Sequence, residues 1–106
     1  METFISIVSH IADKEYQKRA WIRGEPPGTD FDETVNLFAD IGDPILKNYQ
    51  DYGIADSQYQ ILKKFRDKFE AFWEENGLPA AFIDTPEWNE IIMMAKEVLQ
   101  AFDHRK

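Results

Sequence analysis

The sequence predicts an all-α fold, a compact irregular bundle of about five to six helices around one core. Three observations predict it. Apolar residues recur at spacings of three and four along most of the chain, most clearly at Tyr59, Leu62, Phe65, Phe69, Phe72 and Trp73. No stretch alternates apolar and polar residues for long enough to make a strand. Residues that start and stop helices punctuate the periodic runs at short intervals. At 106 residues, the chain is expected to form a single helical domain over 1–106.

Thr3 is expected to cap a short first helix, with Ile5, Val8 and Ile11 on one stripe and Phe4 and Ile7 on an overlapping one. Asp13 then caps a second short helix or a continuation of the first. Tyr16, Ala20 and Trp21 face inward from it, and Lys14, Lys18 and Arg19 face water. Gly24, Pro26, Pro27 and Gly28 break the pattern between Trp21 and Thr29, where Trp21 and Ile22 are expected to be extended and buried.

Thr29 or Asp30 caps the next helix, whose inner face is Phe31, Val35, Phe38 and Ile41 and whose expected end is Gly42. Asp43 and Pro44 suit the cap and first position of another short helix, with Ile45, Leu46 and Tyr49 inside. Gly53 turns the chain, and Ile54 is placed for a hydrophobic staple.

The long central helix is expected over about 57–76, capped by Asp56 and closed by a left-handed turn at Gly77. Leu78, Phe82 and Ile83 are expected to plug the end of the core. Thr85 and Pro86 open the last helix, about 86–102, with Trp88, Ile91, Ile92, Ala95, Val98, Leu99 and Phe102 as its stripe, broadened by Met93 and Met94. The tail DHRK, including His104, is expected to fray.

Composition narrows the function. The formal net charge is -8, and six acids with no base fall between Gly24 and Leu46: Glu25, Asp30, Asp32, Glu33, Asp40 and Asp43. Nucleic acid and anionic membranes need clustered Lys and Arg, so neither is expected as a partner. The best basic cluster, Lys14, Lys18, Arg19 and Arg23, adjoins this acidic run. No run of 18 apolar residues offers a membrane span, and the first residues lack a basic lead and apolar run, so no signal peptide is expected. The absence of cysteine fits a reducing cytoplasm.

Catalytic chemistry finds little to work with. Only His10 and His104 offer nitrogen ligands, and the acids lack calcium-loop spacing, so neither a metal nor a cofactor is expected. Ser6 and His10 lie four apart, but no nucleophile elbow, Walker motif or dinucleotide fingerprint accompanies them. Arg23 with Glu25 is the one place where an enzyme site would first be sought. The expectation is a protein without catalytic residues.

Two short motifs carry a resemblance. The early one is Glu15, Tyr16, Gln17, Arg19 and Trp21; the late one is the junction DTPEW, Asp84 to Trp88. Together they resemble a family of small uncharacterised bacterial proteins of actinobacterial type, with an early EYQxRxW motif and a late DxPxW motif. The family's middle region is longer and more variable than Phe31–Gly53 here. The resemblance implies no activity and no catalytic residue. Small acidic proteins of this kind are also similar, in size and charge, to immunity proteins of bacterial toxin systems.

The expected function is therefore a small acidic protein-binding module, in its sharpest form an immunity-type inhibitor that occludes a basic toxin. Its partner-binding residues are expected to be Glu25, Asp30, Asp32, Glu33, Asp40 and Asp43, with Trp21, Tyr49 and Tyr52 as aromatic anchors. A self-associating structural or regulatory domain, forming a homodimer through the wide aromatic arc of the central helix, is the alternative.

Overall fold

Four long helices carry the fold, and the last three each begin where a side chain or proline meets the free amides of the first turn. The computed structural model describes residues 2–25 and 30–102. Pro26, Pro27, Gly28, Thr29 and the tail with His104 lie outside the described residues. Helix α1 spans Glu2–Ile11, α2 Lys14–Tyr16, α3 Phe31–Lys47, α4 Asp56–Glu75, α5 Pro79–Phe82 and α6 Pro86–Ala101. A π-helical segment, Gln17–Ile22, continues α2, and a 3-10 turn, Tyr49–Tyr52, separates α3 from α4. No strand occurs among the described residues.

Helices α1 and α4 each pack against both α3 and α6, so the four long helices form a closed ring around one core. Helix α4 runs antiparallel to α6. Gln58 at its start donates to the Ala101 carbonyl at 2.8 Å, and Phe72 near its end meets Trp88, with ring centroids 5.3 Å apart. Helix α5 and the π segment pack on each other.

Several expected caps are present. The Asp13 carboxylate accepts from the Tyr16 amide at 3.1 Å, Asp30 from Glu33 at 2.8 Å, and the Thr85 hydroxyl from Trp88 at 3.3 Å. Gly53 has φ 72, the left-handed conformation a side chain resists, and it turns the chain into α4 as expected.

Other expectations are corrected. Thr3 lies inside α1 and does not cap it. Trp21 and Ile22 are helical rather than extended, and only Trp21 is buried. The expected helix break at Gly42 is absent, and α3 runs on through Asp43 and Pro44. A Cβ built on Gly42 would sit 3.1 Å from Cε1 of the fully buried Phe4. This glycine therefore lets α1 approach α3 and does not stop a helix. Pro44 forfeits one helical hydrogen bond, a loss the packed flanks Phe38, Ile45 and Leu46 override.

Helix α4 is not capped by Asp56. Ala55 takes the cap position, and its amide donates to the Gln58 side chain at 2.8 Å. Nor does Gly77 close it in a left-handed turn. Asn76 ends the helix in extended backbone, and its side-chain amide donates to the Phe72 carbonyl at 3.0 Å. Leu78 is 72% exposed and plugs nothing, whereas Phe82 and Ile83 are buried as expected.

The core centres on Trp88. Its fully buried ring lies within 4.7 to 6.2 Å, centroid to centroid, of Phe82, Phe72, Trp21, Phe69 and Phe31. Edge-to-face and tilted pairs of this kind add about 0.5–1.5 kcal/mol each beyond area burial.

Candidate functional site

The two motifs singled out in the sequence meet in the core. Gln17 is fully buried. Its amide nitrogen donates to the carbonyls of His10 at 3.0 Å and Ile11 at 2.8 Å at the end of α1, the former shared with the Asp13 amide. Its amide oxygen accepts from the Trp88 indole at 2.8 Å. Lys14 reaches the same junction, donating to Asn89 at 2.7 Å and lying 3.7 Å from Asp84. Gln17 and Trp88, one from each motif, thus tie the start of the π segment to α6. One group stays unmatched: among the described residues the buried Trp21 indole nitrogen has no acceptor.

His10 is committed to the same scaffold. Its ring stacks on Tyr16 at 3.9 Å and 4°, and the Arg19 guanidinium lies 5.3 Å above the Tyr16 ring centre. Burial pushes the His10 imidazole below its ordinary pKa, while Asp13 opposes this and Arg19 assists. Ser9 donates to the Ile5 carbonyl at 2.9 Å, and Ser6 is exposed. Arg23 and Glu25 form an exposed ion pair at 3.3 Å. Among the described residues no three His, Cys, Asp or Glu side chains gather as metal ligands.

The acidic residues lie at the surface. On α3, Asp32, Asn36, Asp40 and Asp43 recur at helical spacing on one exposed face, with Glu33 beside them. They differ in how free they are. Asp30 spends its carboxylate on the α3 cap, Asp43 pairs with Arg66 at 3.3 Å, and Glu25 pairs with Arg23. Asp32, Glu33 and Asp40 have no ion pair among the described residues.

This face runs into a shallow open cleft of about 250 Å³ between α3 and the end of α4, lined by Phe31, Asp32, Val35, Asn36 and the half-buried Trp73. Trp73 is expected from the sequence on the aromatic face of α4, either in the core stripe or in a homodimer seam. Its indole meets Phe69 at 4.7 Å and Phe38 at 6.3 Å, yet its outer edge joins the cleft. Helical spacing gave no signal for this, because one ring is wide enough to serve both surfaces.

The expected aromatic anchors fare differently. Trp21 is buried among Phe31 and Trp88 and is not available at the surface. Tyr49 stacks on Tyr59 at 4.2 Å and donates its hydroxyl to Asp56 at 2.7 Å, a bond that raises the phenol pKa. Tyr52 is exposed on the 3-10 turn, away from the α3 acids in sequence. The aromatic arc of α4, expected to be too wide for a small monomer, is covered in part: Leu62, Phe65 and Phe69 are fully buried, Tyr59, Phe72 and Trp73 are half-buried, and Ile61 is exposed. The exposed large apolar residues Ile22, Tyr52, Ile61, Leu78 and Met93 fall on five different segments.

No helix of the described residues is long and apolar enough to cross a membrane. No protein-family model matches the chain, and no curated protein or solved structure matches it either.

Proposed function

We propose that this chain is a small acidic protein-binding module without catalytic activity of its own, acting in the cytoplasm. In its sharpest form it is an immunity-type inhibitor that neutralises a basic bacterial toxin. One observation carries the reading: Asp32, Glu33 and Asp40 share an exposed face of α3 with no ion pair among the described residues, beside a cleft edged by Trp73. Unpaired carboxylates steer a basic surface toward this face, and an aromatic edge next to them supplies the anchor that interfaces favour. Occlusion of the toxin's basic surface then blocks it sterically and electrostatically. The resemblance to the actinobacterial family is compatible with this role and assigns none.

The test is co-expression with the basic protein encoded by the adjoining reading frame, followed by association kinetics across ionic strength. The expected result is a stable complex, loss of the partner's toxicity, and an association rate that falls steeply with salt. Asp32→Asn, Glu33→Gln and Asp40→Asn together should slow association and flatten the salt dependence. Salt-insensitive binding, or full neutralisation by the triple variant, would overturn the reading.

A further inference from the structure

We propose that a second surface, the groove between the C-terminal half of α4 and the start of α6, seats an arginine side chain of a partner protein. It goes beyond the α3 reading, using different residues, on the side of α4 that faces α6 rather than α3. The groove has a volume of about 470 Å³. Ala71, Phe72 and Glu75 of α4, with Asn76 just past its end, form one wall, and Thr85 and Glu87 at the start of α6 form the other.

The floor is aromatic. Phe72 is half-buried, its inner side against Phe82 at 5.0 Å and Trp88 at 5.3 Å. Its ring therefore brings the core's aromatic cluster to the surface at one point. A planar guanidinium can lie over such a ring face.

The charge is uncompensated. Glu75 and Glu87 stand on opposite walls, and neither has an ion pair among the described residues. Lys68, also in the wall, is already bound to Glu90 at 2.7 Å. The end of α4 adds to the negative potential. Its last turn contains no base, and Glu74 and Glu75 sit where the helix dipole favours a cation.

Asn76 leaves this end in extended backbone, so no left-handed closure satisfies the last carbonyls. The groove thus offers a ring, two carboxylates and a negative helix end, and lacks only the cation. Arginine fits better than lysine, because its flat fork covers the ring while its edges reach both carboxylates.

The probe is the capped tripeptide acetyl-Leu-Arg-Leu-amide, titrated into the full chain and followed by amide NMR shifts. The expected result is a saturable shift at Phe72, the Asn76 side-chain amide and Glu87, weaker with the lysine peptide and lost with the citrulline peptide. Glu75→Gln and Glu87→Gln should each weaken binding about fivefold, the upper range for an exposed ion pair.

Ala71→Arg, which places a guanidinium four residues before Glu75, should abolish peptide binding without lowering the melting temperature. The α3 triple variant should bind the peptide normally, so failure of the α3 reading and failure of this one are separable. Equal binding of the citrulline peptide, shifts confined to α3, or insensitivity to both glutamine variants would overturn the proposal. So would protein-concentration-dependent shifts at the groove without peptide, which would mean that a second copy fills it.

Discussion

Gln17 makes three hydrogen bonds with one amide group, to His10, Ile11 and Trp88, at 0% exposure. Replacing it by methionine keeps the volume and leaves the Ile11 carbonyl and the Trp88 indole without this partner, while the His10 carbonyl keeps the Asp13 amide at 3.3 Å. Each unsatisfied group costs about 1–3 kcal/mol. Gln17→Met should therefore lose about 2 kcal/mol or more by urea denaturation. In a Trp88→Phe background, which already lacks the indole donor, the same change should cost less.

His10 sets a pH dependence. Burial lowers its folded pKa below 6.5, so the unfolded chain binds more protons and stability rises with pH. The contribution is present above 6.5 and is lost as pH falls through the depressed value. The melting temperature of the wild type should thus drop on mild acidification more than that of His10→Phe, which keeps a ring to stack on Tyr16. An identical slope in the two proteins would refute this.

At this scale the caps Asp13, Asp30 and Thr85 were legible, because short polar side chains before apolar runs have a local task. Gln17 was not, because its partners come from α1 and α6 and no local pattern marks a buried amide.

Helix α3 shows what element-level reading misses. Gly42 and Pro44 are helix breakers by propensity, together worth about 4 kcal/mol against alanine. Both nevertheless lie inside α3, because long-range packing outweighs local preference: Phe38, Ile45 and Leu46 are buried on one face on both sides of the glycine.

Gly42→Ala sets a helix-propensity gain of about 1 kcal/mol against a 3.1 Å approach to Phe4. Phe4 cannot yield easily, since its ring is fully buried and stacked on Phe38 at 5.5 Å. The substitution should therefore lower the melting temperature in the wild type and raise it in a Phe4→Leu background. A stabilising effect in both would mean the α1–α3 approach is looser than the structure indicates. By contrast, α4 and α6 were legible nearly to the residue, because their apolar stripes are long and fully periodic.

For the whole molecule, the ring of α1, α3, α4 and α6 follows from amphipathic stripes that each need cover on two sides. Which helices would be neighbours was not legible, since stripe periodicity carries no partner information. The acidic half of the candidate site was visible as a charge run. The Trp73 edge and the Phe72 groove emerged only when helices distant in the chain came together.

A net charge of -8 also repels itself. Raising ionic strength shortens the screening length from about 30 Å at 0.01 M to about 8 Å at 0.15 M. The melting temperature should rise over that range, and it should rise less for Asp32→Asn with Asp40→Asn, whose parent carboxylates have no ion pair among the described residues.

The bond from Gln17 to Trp88 joins positions 71 apart. A ribosome making this chain must release α6 before the amide at the start of the π segment can find its acceptor and donor partners together. Until then, α1 lacks one of the two helices it leans on, and the aromatic faces of α3 and α4 stay wet. Folding is thus deferred until α6 has emerged, and a fragment cut before Thr85 should remain protease-sensitive and dependent on chaperones.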